Sequence, residues 1–106
     1  MVKGRLSLPR FVEIVASEPA RLFGMAPKKG SLAVGSDADI VLLDPKQTWT
    51  MGQDTLHMGT DWSAYEGIQV TGKIQKVFSR GEIIVDGEEL LGRPGRGRYV
   101  HRRLNV

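Results

Sequence analysis

Two aspartates one residue apart, Asp37 and Asp39, are the most suggestive carboxylate pair in the chain. Residues i and i+2 of an extended strand face the same side, so such a pair could hold a divalent cation through its oxygens. Asp is equally a turn and strand-entry residue, because its side chain bonds nearby backbone N–H groups. Gly35-Ser36 immediately before the pair favours this structural use. Asp54, His57 and Asp61 offer a second candidate, a carboxylate–imidazole cluster at the spacing of one helical turn. Gly52 and Gly59 argue against a helix there, and a polar loop is the plainer reading. The other histidine is His101, and neither histidine lies in an HxH or HExxH arrangement. A hydrolytic zinc site needs several such ligands, so the supply is thin. No serine lies in GxSxG, and no histidine is placed to suggest a nucleophile–base dyad. The tract "GRPGRGR" (92–98) superficially resembles a phosphate-cradling loop but lacks the Lys-Ser/Thr and helix of a P-loop. Nucleic-acid binding by Arg93, Arg96 and Arg98 is the lesser reading; an arm that docks on an acidic neighbour is preferred.

The elements that would position these residues divide into helix first and strand after. "SLPRFVEIVASEPARLFGM" (7–25) predicts two short helices. Ser7 is placed to cap the first, with Pro9 tolerated in its first turn, and Ser17 to cap the second ahead of Pro19. Leu8, Phe11, Val12 and Val15 recur at helical spacing, Leu22 and Phe23 are expected to face inward, and Gly24 suits a left-handed terminating residue. Ser31–Val34 predicts a short strand, and Ala38–Leu43 a buried one whose unalternated Ile-Val-Leu-Leu suggests cover on both faces. A short strand is expected around Trp49, then a long ordered loop at about 52–72, the kind of segment that is usually functional or interfacial. "KIQKVFSRGEIIVDGEELLG" (73–92) predicts strand, Arg80-Gly81 turn, strand, Asp86-Gly87 turn and a short strand. Helices followed by strands without alternation give an α+β class.

Composition narrows the class further. A length of 106 residues allows at most one modest core, and 41% hydrophobic with 25% charged residues is ordinary globular composition. The longest apolar run, Ile40–Leu43, is far too short to span a bilayer, so no membrane role is expected. The first ten residues contain no apolar signal core. Absence of cysteine excludes disulfides, thiolate metal sites and a Cys nucleophile, and a cytoplasmic location is expected. The net charge of +3 is uneven: residues 1–92 hold ten Lys/Arg against twelve Asp/Glu, whereas residues 93–106 hold five Arg and no acid. A basic character confined to a tail is weak support for a nucleic-acid-binding face.

Several stretches resemble the cyclic amidohydrolases, most closely the hydantoinase/dihydropyrimidinase branch of the amidohydrolase superfamily. The most specific are "PARLFG" (19–24) and "PKKGSLAVGSDADIV" (27–41), with "DWSAYEG" (61–67), "VTGKIQKVFSRGEIIVDGE" (70–88) and "GRPGRGRYV" (92–100) following in the same order. The resemblance covers nearly the whole chain. It implies an intact enzyme with a (β/α)8 barrel and two zinc ions bridged by a carbamylated lysine. A metal-bound hydroxide there attacks a cyclic amide carbonyl, with Asp as proton shuttle. No position here matches those catalytic or metal-binding residues, so none is carried over, and no cofactor is expected in this chain.

The resemblance implies a division into 1–27, helices resembling the end of the barrel; 28–92, an incomplete piece of the small β-sandwich domain flanking it; and 93–106, a basic tail. The expected function is the C-terminal, non-catalytic portion of such a hydrolase, contributing structure and a subunit interface. A stand-alone interaction module using the basic tail, or the smaller half of a split enzyme, are the alternatives. Exposed strand edges imply self-association or pairing with an amidohydrolase barrel. Trp62, Tyr65, Arg93, Arg96 and Arg98 are the candidate interface residues; for the tryptophans and Tyr65, burial in a core is the equal alternative.

Overall fold

The computed structural model describes residues 4–57 and 59–103. Its N-terminal part is a continuous helical run: α1 (Leu8–Val12), a π-helical stretch (Glu13–Ser17) and α2 (Glu18–Leu22). The Ser7 hydroxyl accepts a hydrogen bond from the Arg10 amide at 3.3 Å, the capping arrangement its position predicts. Ser17 does not start a second helix. Its backbone is helical, and its hydroxyl donates instead to the carbonyl of Gly30 at 2.9 Å. Pro19 is accommodated because the widened π turn absorbs the missing amide, so the expected pair of helices is one segment. Gly24 closes it at φ +68°, the left-handed conformation foreseen for it.

Residues 25–39 are turns and irregular backbone, and the strand expected at Ser31–Val34 is absent, with Val34 wholly exposed. This loop is held to the helix by close approach at Gly30 (φ +86°), where an added Cβ would lie 2.4 Å from Ala20 Cβ and 2.9 Å from the Ala16 carbonyl oxygen. Ala20 is buried beneath it.

The sheet has four antiparallel strands in sequential order: β1 (Ile40–Thr50), β2 (Gln69–Ser79), β3 (Glu82–Asp86) and β4 (Glu89–Leu90). The two strands expected at 38–43 and around Trp49 are one. Asp44-Pro45 does not end it: Asp44 pairs with Lys73 and Thr48 with Thr71, leaving a bulge between them. Pro45 lacks the N–H a regular ladder needs, and Asp44 Oδ1 instead accepts from the amides of Lys46 (2.9 Å) and Gln47 (3.3 Å). The β2–β3 connection is the predicted Arg80-Gly81 turn, with φ +50° and +80° at its two central residues, as a two-residue hairpin matching strand twist requires.

Cover on both faces of β1 is not supplied by the described residues. Val41, Leu42 and Leu43 are all exposed, and so are Leu22 and Phe23, which were expected to face inward. The helical segment and the sheet do not pack against each other; residue contacts run within the helix and between neighbouring strands. Folded monomers of this 11.7 kDa mass expose about 5,900 Å², whereas this chain exposes 8595 Å². Its radius of gyration is 16.0 Å, against about 13 Å for a compact chain of this length.

Candidate functional site

Asp37 and Asp39 have a cation already, supplied by the chain. Lys29 Nζ lies 2.8 Å from Asp37 Oδ2 and hydrogen-bonds Asp39 Oδ2. The other Asp39 oxygen accepts the amide of Arg80 at 2.8 Å, and the next amide, Gly81, donates to the Ala38 carbonyl at 3.0 Å. Asp37 is fixed through its own amide, which donates to the Lys28 carbonyl at 2.8 Å. Partial burial opposes the charge on Asp39, but the Lys29 ammonium and the Arg80 amide outweigh it and hold its pKa below the usual carboxylate range. Burial likewise opposes the Lys29 charge, and the two carboxylates reverse the balance and raise its pKa. The Asp-Ala-Asp triplet thus docks the irregular loop onto the β2–β3 turn.

The long loop contains a short 3-10 turn, Gln53–Thr55, beginning at buried Gly52. The Gly52 amide donates to Thr55 Oγ1 at 2.9 Å, and Glu66 reaches across the loop to accept the Gln53 amide at 2.9 Å. An open depression of about 480 Å³ is lined by Met51, Thr55, Leu56, His57 and Tyr65. Asp54, His57 and Asp61 do not converge. Among the described residues no three His, Asp or Glu side chains are grouped closely enough to hold a metal ion. Trp62 and Tyr65, candidate interface residues, are 65% and 59% exposed. Trp49 is turned onto the sheet, its indole N–H donating to the Gly72 carbonyl at 3.1 Å with the Lys73 ammonium 5.9 Å above the ring.

The basic tail follows a Pro94-Gly95 turn and is not a free arm throughout. Arg96 turns inward: Nη2 donates to the Ser79 carbonyl and to Glu82 Oε2, both at 2.8 Å, and Nε donates to the same oxygen at 3.1 Å. In return the Arg80 guanidinium donates to the Arg96 carbonyl. Arg96 holds the Glu82 carboxyl below its ordinary pKa, first by hydrogen bonding and then by charge. Arg93 and Arg98 are exposed and make no ion pair with a described residue. His101 packs edge-on against Tyr99, ring centres 4.8 Å apart. The Arg103 amide donates to the Gly24 carbonyl at 2.7 Å. Residues 104–106 of the tail lie outside the described residues. Sequence reasoning missed Lys29 and Glu82 because the partners of each are far along the chain.

These contacts tie one segment of the chain to another. Residues 1–84 match the amidohydrolase family. The chain is 48% identical over 101 residues to a D-hydantoinase of Ralstonia pickettii and 46% identical over 100 residues to one of Geobacillus stearothermophilus. These alignments cover 95% and 94% of this chain but 22% and 21% of the relatives, so it spans about a fifth of their length. Its fold is similar to that part of the crystal structure of dihydropyrimidinase from Brevibacillus agri NCHU1002, with a TM-score of 0.91 at 48% identity, covering 95% of this chain and 22% of that one. The chain belongs to the amidohydrolase family.

Proposed function

We propose that the chain serves as the C-terminal, non-catalytic portion of a metal-dependent hydrolase of cyclic amides of the hydantoinase/dihydropyrimidinase kind. The observation that carries this reading is a near-complete match of the chain to about a fifth of such proteins, combined with an excess of bare apolar surface on helix and sheet. In this reading the zinc ions and the groups that attack the amide belong to a barrel, and this chain supplies structure and subunit interface. Its sheet is a piece of the sandwich domain beside the barrel, and its helix is barrel-facing. Trp62, Tyr65, Arg93, Arg96 and Arg98 contribute to the interface, Arg96 by holding the tail in place.

The test uses two preparations assayed with zinc on dihydrouracil and a 5-substituted hydantoin. The purified 106-residue chain is expected to give no hydrolysis above buffer; turnover by it would refute the non-catalytic assignment. Coexpression with a hydantoinase barrel lacking the matching segment is expected to yield a stable complex with restored activity. Failure to bind that barrel would count against the structural role.

A further inference from the structure

Helix and sheet share no packed interface among the described residues, yet a closed circuit of polar contacts joins them. Starting on the helix, Ser17 bonds the Gly30 carbonyl, and the adjacent Lys29 pairs with Asp39. Asp39 receives the Arg80 amide at the β2–β3 turn. From the other side of that turn, Arg96 grips Ser79 and Glu82 while Arg80 grips the Arg96 carbonyl. The tail then runs from Arg96 to Arg103, whose amide returns to Gly24 at the helix end. An added Cβ on Gly24 would lie 2.1 Å from the Arg103 carbonyl oxygen, so tail and helix end are in direct contact.

We propose that residues 96–103 act as a strap that fixes the helical segment relative to the sheet, with Arg96 as the positioning residue that closes it. Three features support Arg96 in this part. It is the one tail arginine whose side chain bonds another described residue, it engages two acceptors on the hairpin, and its own carbonyl is held in return. The Pro94-Gly95 turn directs the chain back toward the hairpin, so the glycine–arginine tract serves geometry as well as charge. The strap needs no catalytic role and stands independently of the function proposed above.

The experiment is amide hydrogen exchange on the 106-residue chain, read at Arg103, whose amide sits at the far end of the strap from Arg96. Losing hydrogen bonds that involve a charged group corresponds to roughly a tenfold or greater change, so Arg96→Ala is expected to speed Arg103 exchange by about that factor. Arg96→Lys, which cannot reproduce the forked contact, is expected to fall between the two. Lys46→Ala removes one positive charge from an exposed side chain away from the clasp and is expected to leave the rate unchanged. Wild-type exchange at Arg103 in Arg96→Ala overturns the proposal, and so does equal acceleration in Lys46→Ala. Should Arg96→Ala lose its sheet signal in circular dichroism, Glu82→Gln, which keeps the Ser79 contact, is read in its place with the same two outcomes.

Discussion

Lys29 decides what Asp37 and Asp39 do. An ammonium within ion-pair distance of both carboxylates satisfies the charge that a divalent cation would otherwise neutralise, and it does so from a residue eight positions before Asp37 and ten before Asp39. The pair is partly exposed, so its worth is that of a screened contact, on the order of 0.5–1 kcal/mol. Asp39 has a lowered pKa, so its contribution is present above the unfolded carboxylate value and is lost as pH falls through the folded one. Lys29 runs the opposite way: its contribution is present below the unfolded lysine value and is lost only as pH rises through its raised folded value. Asp39→Asn is therefore expected to lower stability at neutral pH by about that amount and to flatten the loss between neutral and acid pH, measured by urea unfolding across the range. An unchanged acid limb would remove Asp39 from the acid response. The sequence displayed the two carboxylates and their turn-forming neighbours, but the lysine that binds them becomes adjacent only once the loop is folded.

At the level of elements, legibility followed the range of the determining contacts. The Arg80-Gly81 turn was readable because a two-residue connection between apolar runs is fixed by its own backbone, and the turn expected at Asp86-Gly87 lies one residue on, at Gly87-Glu88, with Asp86 paired to Glu89. The Ser7 cap was readable for the same reason. Ser17 has identical chemistry, yet its hydroxyl serves Gly30, thirteen residues on, and the helix passes through it. Ser31–Val34 has strand-like residues but no strand beside it, and without a partner it stays irregular. Pro45 looked like a terminus because proline breaks a ladder, whereas a bulge lets the strand resume. The tail looked like an arm for an acidic neighbour because the acceptors of Arg96 lie on the hairpin. Gly30 tests how firmly the loop seats on the helix. Gly30→Ala puts a methyl against Ala20 at a positive φ and is expected to cost about 1–3 kcal/mol in urea unfolding. A change below a few tenths would show that the loop yields there.

At the scale of the molecule the balance of surface is the governing fact. An exposed area about 2,700 Å² above the monomer expectation exceeds the roughly 800 Å² that one partner buries in a standard interface. A single ordinary dimer contact would leave most of it in water. The open edge of β1 adds unpaired backbone groups beside exposed Val41 and Leu42. The isolated chain is expected to self-associate, with a mass in light scattering that rises with concentration and a broad melting transition. A constant monomer mass with a sharp cooperative melt would contradict this. Leu42→Lys, which places a charge beside that edge, is expected to shift the association to higher concentration.

The order of strands also bears on synthesis. Strand β1 is translated before β2, its neighbour among the described residues, and the partners of Ile40 and Val41 are Phe78 and Val77. At roughly 5–20 residues per second on the ribosome, the apolar run waits for a few seconds before β2 is made. The hairpin that receives it closes within microseconds once made, because its two halves adjoin in sequence. Elongation, rather than the pairing reaction, therefore sets how long Ile40–Leu43 remains available to chaperones or to another nascent chain.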